Sequence, residues 1–284
     1  MTITIASGLP AHRQAESSSN AKTSSSDDTP AWKLELMKRP LVELRQGFSL
    51  GYEAPTEESS TIALTAPSGK FVDIRFSTLP VTGKDTQVTK QLGNIHGTAS
   101  AGIATIFFPE KEGSGWPAYN CHAHVQWQHI LDSSREFGTD GADMILLADG
   151  ATMEVGFIEI RGTMKYFKEY WVTPPNKATD IPCLVAELTA SHTAKTEGAA
   201  IRGMAVRIGD FCQGILQTDT EFWFERWEYS QGSGWVKDTR SNTPQAAEST
   251  SGILPCWQMG EKSLELGATM ELTSGVWNIT EVLY

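Results

Sequence analysis

Cysteine, clusters of basic residues and long apolar runs are all scarce in this chain, and each absence excludes a class of protein. The four cysteines form no Cys-x-x-Cys pair, which argues against a zinc knuckle or a redox motif. No apolar run approaches the roughly 18 residues of a membrane helix, and the N-terminal stretch lacks the basic start and apolar core of a signal peptide. We therefore predict reduced thiols, no membrane insertion and a cytoplasmic location, with the nucleus as the alternative.

The charge balance and the missing motifs exclude further functions. Lysine and arginine number 23 against 34 acids, the net charge is −11, and no basic stripe is present, so a groove for DNA or RNA is not expected. The sequence also contains no glycine-rich dinucleotide fingerprint, phosphate loop or Gly-x-Ser-x-Gly elbow. We predict no nucleic-acid partner and no cofactor.

What the chain does contain is a repeated segment. GATMEV at 150–155 returns as GATMEL at 267–272, about 117 residues later, a spacing that suits one small domain per copy. Further echoes align residues 60–66 with 185–190 and residues 125–129 with 255–259. We predict a duplication with one unit at 32–161 and a second at 162–284, after a serine-rich, disordered tail at 1–31.

The same alignment indicates where a specific function would lie. Two domains seldom keep the same active site while they diverge elsewhere, so residues repeated in both copies favour a structural role. The alignment sets His129 opposite Met259. We therefore expect function at positions of this kind, where the copies differ.

Short runs rich in Val, Ile, Phe and Trp, broken about every 8 to 12 residues by Gly, Pro, Asp or Ser, predict β-strands. The predicted strands of the first unit are Val42–Phe48, Thr61–Ala66, Phe71–Phe76, Ile103–Phe108, His122–Leu131, Asp143–Leu147 and Thr152–Ile160. Those of the second unit are Tyr166–Val172, Leu184–Thr189, Gly203–Ile208, Gln213–Gln217, Glu221–Tyr229, Ser263–Leu266, Thr269–Leu272 and Val276–Val282. This pattern predicts an all-β fold of two similar antiparallel β-barrels, closed so that no long edge is exposed.

Two alternating histidines, His122 and His124, are the most obvious metal-binding candidates, because residues two apart share one face of a strand. The other face of this strand carries Ala123, Val125 and Trp127, and the apolar face of a small barrel normally points inwards. The two histidines would then face solvent. No carboxylate follows at the spacing that such a site would use, so we predict no metal.

Three titratable residues are candidates for acid–base chemistry. His129 is in phase with Trp127 and would point into the barrel, and Asp132 is near enough in sequence to orient its imidazole. The alternative is an interior histidine with a structural hydrogen bond, or a strand that has already ended. Glu154, the acid of the repeated segment, is the third candidate.

Arginine and tryptophan side chains are candidates for ligand binding. Arg75 and Arg207 lie in comparable predicted strands, where they can hold an anionic or carbonyl group or pair with the repeated acids, such as Glu154. Trp127 and Trp227 lie in strands rich in aromatic residues. Such residues either form core or line a pocket for a flat, greasy ligand.

Segments in both halves of the chain resemble the fungal Hri-type family. In the second half these are FKEYW at 167–171, RIGDFCQGI at 207–215 and GVWNI at 275–279, and the first half is similar at FVDIR, 71–75, and in the strand of Trp127. The resemblance covers about residues 32–284 and implies tandem lipocalin-like β-barrels. It also implies a protein kinase as partner, since the family's yeast namesake is associated with a casein-kinase-type kinase, but it supplies no catalytic residues.

Two functions from different classes fit these observations. The first is a cofactor-free cyclase or isomerase acting on a hydrophobic intermediate of fungal secondary metabolism, in which the shape of the cavity and one acid or donor do the catalysis. The second is a non-catalytic barrel that carries a hydrophobic small molecule or binds a protein such as a kinase. A filled interior in both barrels would favour a scaffold, and an open aromatic cavity would favour an enzyme or carrier.

Overall fold

The structure is a computed structural model that describes residues 30–78, 97–108, 122–160, 162–174, 182–191, 201–243 and 252–284. The tail predicted to be disordered lies outside these residues except for Pro30 and Ala31. A short helix, α1 (Ala31–Leu36), opens the described chain.

A closed antiparallel barrel of eight strands forms the first unit, and each strand up to the seventh pairs with the next in the chain. The strands are β1 (Leu41–Leu50), β2 (Ser59–Thr65), β3 (Lys70–Ser77), β4 (Gly97–Phe107), β5 (Ala123–Asp132), β6 (Thr139–Leu146), β7 (Thr152–Ile160) and β8 (Thr163–Val172). β8 also pairs with β1, and this pairing closes the barrel. Closure leaves no edge strand in this unit.

An open antiparallel sheet of seven strands forms the second unit, in the order β13-β12-β11-β10-β9-β15-β14. Its elements are β9 (Cys183–Ser191), β10 (Arg202–Ile208), β11 (Phe211–Gln217), β12 (Phe222–Ser230), β13 (Gly234–Lys237), the helix α2 (Cys256–Glu261), β14 (Thr269–Leu272) and β15 (Gly275–Leu283). The prediction of an all-β fold with two antiparallel units is confirmed. The second unit closes only halfway and is a half-barrel.

The topology explains the repeated segment. β1 lies between β2 and β8, and β9 lies between β10 and β15, so β1–β5 correspond to β9–β13 and β7–β8 correspond to β14–β15. The two repeated segments lead into the corresponding strands β7 and β14. Gly150 and Gly267 precede them with φ values of 86° and 81°, a left-handed conformation that favours glycine. Among the described residues, the half-barrel has no counterpart of β6.

Two details of the sequence alignment are wrong. It matches residues 60–66 to 185–190, which pairs β2 with β9, whereas the topological counterpart of β9 is β1. It also sets His129 of β5 opposite Met259, which lies in the helix α2. The two sheets separate between Val172 and Cys183, and the predicted boundary at 161/162 falls between β7 and β8 of the barrel.

The barrel and the half-barrel pack against each other through one apolar core. Its residues from the barrel include Val72, Ile74 and Phe76, which alternate along the outer face of β3. The half-barrel contributes Cys183, Val185, Met204, Val206, Ile208, Ile215, Phe222 and Phe224. A second apolar cluster, which includes Trp277, Leu254, Cys256 and Met259, fills the other face of the half-barrel beneath α2.

A buried arginine crosses the core between the two units. Arg226 of β12 donates from Nη1 to Ser60 Oγ at 3.0 Å and from Nη2 to the carbonyl oxygens of Ser60 at 3.2 Å and Ile74 at 2.6 Å. Its guanidinium carbon lies 4.7 Å from the centroid of the Phe76 ring. Burial lowers the pKa of Arg226 to about 10, so the side chain stays charged at neutral pH and satisfies barrel carbonyls that the half-barrel covers.

Arg226→Ala should destabilise the protein by roughly 3 kcal/mol, because it leaves buried carbonyl groups without a donor and opens a cavity. The measurement is urea-induced unfolding of the full chain. Arg202→Ala, which removes an exposed arginine from β10, is the matched control and should change stability little. Equal stability of the two variants would show that the cross-link contributes nothing.

Candidate functional site

The lumen of the barrel contains charged side chains. Alternation along β3 turns Phe71, Asp73 and Arg75 away from the apolar core and therefore into the barrel. Arg75 contacts Glu169 on β8, although β1 and β2 lie between these strands in the barrel wall. A contact between strands so far apart in the wall crosses the lumen, so ion pairs fill part of the interior.

Glu169 is the centre of this ion-pair network. Its Oε1 accepts hydrogen bonds from Arg45 Nη1 at 2.6 Å and from Arg75 Nη1 at 3.1 Å. Arg45 also donates to Glu57 through Nε at 2.9 Å and Nη2 at 3.2 Å. Arg75 donates from Nε to Asp73 Oδ2 at 2.8 Å. Burial opposes charge on Arg75, yet the carboxylates of Asp73 and Glu169 outweigh burial and raise its pKa.

A cleft of about 330 Å³ opens over the network. It lies at the end of the barrel where β2 and β4 begin and β3 ends. Its lining residues are Arg45, Phe48, Thr56, Glu57, Glu58, Ser59, Arg75, Ser77, Gly97 and Thr98. This volume is at the lower end of the range for small-molecule sites.

The two arginines of the cleft differ in what they offer a ligand. The Arg45 side chain is 9% exposed, and Ser59 Oγ accepts a further hydrogen bond from its Nη2 at 2.8 Å. The Arg75 side chain is 36% exposed. A guanidinium has five N–H donors, and the pairs with Asp73 and Glu169 engage three of those on Arg75. Two remain without a partner among the described residues.

Glu154 lies opposite Glu169 on the neighbouring strand β7. Its Oε2 accepts a hydrogen bond from Trp171 Nε1 at 3.0 Å. Burial, and then the charge of Glu169, raise the pKa of Glu154 well above its ordinary value. The neutral carboxylic acid is therefore the favoured form, and two facing carboxyl groups do not both carry charge.

His129 points into the barrel, as predicted, and is held between two carboxylates. Its Nδ1 lies 3.2 Å from Asp132 Oδ2, and its Nε2 lies 3.0 Å from Asp140 Oδ1. Burial alone would lower its pKa, but hydrogen bonds and charge from both aspartates outweigh burial and raise the pKa to about 9. Its cross-strand partner is Gly102, where an added Cβ would lie 1.8 Å from the Gln128 carbonyl oxygen. Glycine is required there by the close approach of the backbone.

The opposite end of the barrel is apolar. Phe71, Ala104, Ala123, Val125 and Met144 form a buried cluster there. Trp127 packs against this cluster together with Leu36 of α1, Ile106 and Phe108. Trp127 therefore lies in side-chain packing, and it does not line the cleft.

Arg207 and Trp227 lie in the half-barrel, away from the cleft. Arg207 donates from Nη1 to the carbonyl oxygens of Met259 at 2.5 Å and Gly260 at 3.2 Å. Trp227 packs against Trp257 of α2, with ring centroids 5.4 Å apart. Both residues hold α2 on the half-barrel, and neither is brought together with Arg75.

The prediction that His122 and His124 face solvent is wrong for His124, whereas His122 is half-buried. His124 is buried, and its Nδ1 lies 2.9 Å from Asp143 Oδ1. His122 Nδ1 accepts a hydrogen bond from the Leu146 amide at 2.9 Å. Both imidazoles engage neighbouring groups of the outer barrel wall. No group of three or more His, Cys, Asp or Glu side chains within the described residues is arranged to hold a metal ion.

Sequence reasoning missed Arg45, Glu169 and Asp140, which complete the lumen network. Glu169 belongs to the FKEYW segment, so the segment that carries the family resemblance also contained the signal. Arg45 lies inside a predicted strand, and a charged residue within an apolar strand is a usable signal for a buried pair. Asp140 precedes the predicted strand Asp143–Leu147, and only the earlier start of β6 reveals its position.

Together these features define an all-β protein in which a closed barrel with a polar lumen packs on a half-barrel. A family model described as Protein HRI1 matches residues 41–281. The chain belongs to the HRI1 family, and the predicted resemblance is confirmed.

A solved structure has the same fold. The crystal structure of uncharacterized protein YLR301w from Saccharomyces cerevisiae superposes with a TM-score of 0.60 at 15% sequence identity, and the match covers 86% of this chain and 99% of that one. No curated protein matches the sequence. None of the helices in the described part of the chain has the length and apolar character needed to cross a membrane.

His129 should stabilise the fold in a pH-dependent way. A folded pKa of about 9 lies above the ordinary histidine value of about 6.5, so the stabilisation is complete below about pH 6.5 and is lost as pH rises through about 9. The difference in unfolding free energy between wild type and His129→Gln should therefore shrink between pH 6 and pH 9.5. An NMR titration of the imidazole with a midpoint near 6.5 would contradict this prediction.

Glu154→Gln should stabilise the protein at pH 7. Because the folded pKa is raised, unfolding releases a proton above the ordinary glutamate pKa, and this favours the unfolded state. Glutamine keeps an acceptor for Trp171 and has no proton to release. The gain should vanish below about pH 4. Glu159→Gln, on the outward phase of the same strand, should show no such gain.

Proposed function

We propose that this protein binds a small molecule in the cleft at the end of its barrel where β3 ends and β4 begins, and that it acts as a non-catalytic binding or carrier protein. The observation that carries the proposal is the state of Arg75. Asp73 and Glu169 fix its guanidinium, over a third of its side chain is exposed, and two N–H groups have no partner among the described residues. A fixed donor pair in a concave site is what ligand recognition requires.

The state of the acid–base candidates supports a binding role better than a cyclase or isomerase. His129 is protonated at neutral pH, since its pKa is about 9, and a protonated imidazole is not a general base. Both ring nitrogens are engaged by Asp132 and Asp140. Neither His129 nor Glu154 lines the cleft. A catalytic role would need a ligand to enter deeper than the cleft.

Most residues that line the cleft are polar in type, while most of the surface exposed in it comes from apolar atoms. The lining therefore supports a ligand with both hydrogen-bonding and C–H groups better than a purely hydrophobic intermediate of secondary metabolism. Phe48 is the one aromatic side chain among the described lining residues. The other lining residues that carry side chains are charged or bear hydroxyl groups. The half-barrel offers less room for a ligand, because α2 and Trp277 fill its concave face. A kinase as partner stays a prediction from the family resemblance.

Small molecules should bind at the cleft and depend on Arg75. We would screen uniformly labelled protein against a mixed library of polar and apolar fragments by NMR, and follow the amides of Gly97 and Thr98. At least one fragment should shift both signals, and Arg75→Lys should weaken its binding at least tenfold, because lysine keeps the charge but lacks the planar pair of donors.

Arg202→Lys provides the matched control, since it makes the same exchange at an exposed position on the half-barrel. Its fragment affinities should equal those of wild type. A screen in which no fragment shifts the cleft signals, or in which Arg75→Lys binds as well as wild type, would refute the proposed function.

A further inference from the structure

The charges around the cleft do not favour an anionic ligand. The network contains two arginines, Arg45 and Arg75, and three carboxylates, Asp73, Glu57 and Glu169. Two positive charges against three negative ones leave the network with one net negative charge. Glu58 at the rim adds another. A carboxylate or phosphate that approached Arg75 would be repelled by the two carboxylates that pair with Arg75, those of Asp73 and Glu169.

The hydrogen-bonding groups of the cleft favour a ligand that both donates and accepts. Arg75 offers two N–H donors. Glu58 offers an exposed carboxylate, which only accepts. Thr56 and Thr98 are exposed and present hydroxyl groups. A hydroxyl group on a ligand can accept from a donor such as Arg75 and donate to an acceptor such as Glu58, so hydroxyl groups suit the polar part of the lining.

Phe48 supplies the apolar part of the site. Its ring lies 5.6 Å from the Arg45 guanidinium carbon and is stacked on Phe167, with centroids 6.3 Å apart. These contacts fix the plane of the ring before any ligand arrives. A saturated, chair-shaped ring with axial C–H bonds on one face and hydroxyl groups at its edge matches an aromatic wall beside polar groups.

We propose that the cleft binds a neutral polyhydroxylated ring compound of about monosaccharide size, with adjacent oxygens on Arg75, a hydroxyl on Glu58 and a C–H face against Phe48. This inference rests on the proposed function and names the ligand class for the same site. A cleft of about 330 Å³ has room for one such ring. Such a ligand differs from an anion in having no charge, and it differs from a hydrophobic molecule in carrying hydroxyl groups.

The test compares neutral and charged compounds of the same shape. Myo-inositol, D-glucose and D-mannose are the neutral probes, and D-glucuronate and D-glucose 6-phosphate are the anionic ones. NMR titration of the full chain at pH 7 should give shifts at Gly97 and Thr98 with at least one neutral probe at a Kd of about 1 mM or tighter. The anionic counterparts should bind at least fivefold more weakly.

Three variants assign the contacts. Arg75→Lys and Phe48→Leu should each weaken binding of the neutral probe at least fivefold, and Arg202→Lys should leave it unchanged. Glu58→Gln should weaken the neutral probe and improve the relative affinity of D-glucuronate, because it removes a negative charge from the rim. Glu58 is exposed, so this variant remains informative even if an interior substitution disturbs folding.

The outcomes separate this inference from the proposed function. Binding of D-glucuronate or D-glucose 6-phosphate in preference to the neutral probes would overturn the ligand class and leave a ligand-binding cleft. Binding of apolar fragments alone would do the same. A protein whose cleft signals respond to no compound at 50 mM would overturn both.

Discussion

The apolar contact between the outer wall of the barrel and the half-barrel determines which side chains face the lumen. Val72, Ile74 and Phe76 of β3 are buried in that contact. Alternation then leaves no choice for Asp73 and Arg75, which must enter the barrel. The usual expectation for a small barrel, with apolar residues inside, is reversed on this side because a second sheet covers the outside.

Placing charge in the lumen is tolerable only because the charges are paired. An unpaired buried charge costs several kcal/mol, whereas paired and hydrogen-bonded groups recover much of that cost. Glu169 pairs with two of these charges at once, because one of its carboxylate oxygens accepts hydrogen bonds from both Arg45 and Arg75. The pairs also fix Arg75 at the base of the cleft, so the packing of the two units and the chemistry of the cleft are linked through one residue.

The strands could be predicted from sequence, but the inside of the barrel could not. The run of β-forming residues after Gly150 located β7 at its observed bounds, Thr152–Ile160. Such a run does not say which face is inside. In β5 the answer changes along the strand: a bulge at Ile130, between the pairs Gly102–His129 and Ala101–Leu131, leaves Val125 in the lumen and turns Leu131 to the half-barrel.

Other misses have similar physical causes. Ser263–Leu266 has an apolar-polar alternation but forms no strand, and its Leu264 carbonyl accepts a hydrogen bond from the Tyr284 hydroxyl instead of a sheet partner. Local pattern cannot reveal that a backbone group will be satisfied by a distant side chain. The Glu169 contacts span more than ninety residues of chain, so a local sequence pattern could not predict the network. The pair of His129 and Asp132 is only three residues apart, and the sequence did predict it.

The two units differ in how the space on their inner side is filled. The barrel keeps β6 and closes around a polar lumen, whereas the half-barrel has α2 against its concave face. Cys256 and Met259 of that helix are completely buried, as is Trp277 beneath them, so the space that a lumen would occupy is filled with side chains. The expectation that function lies where the copies differ stays a prediction. Among the described residues, the difference is a packed helix in one unit and a charged lumen in the other.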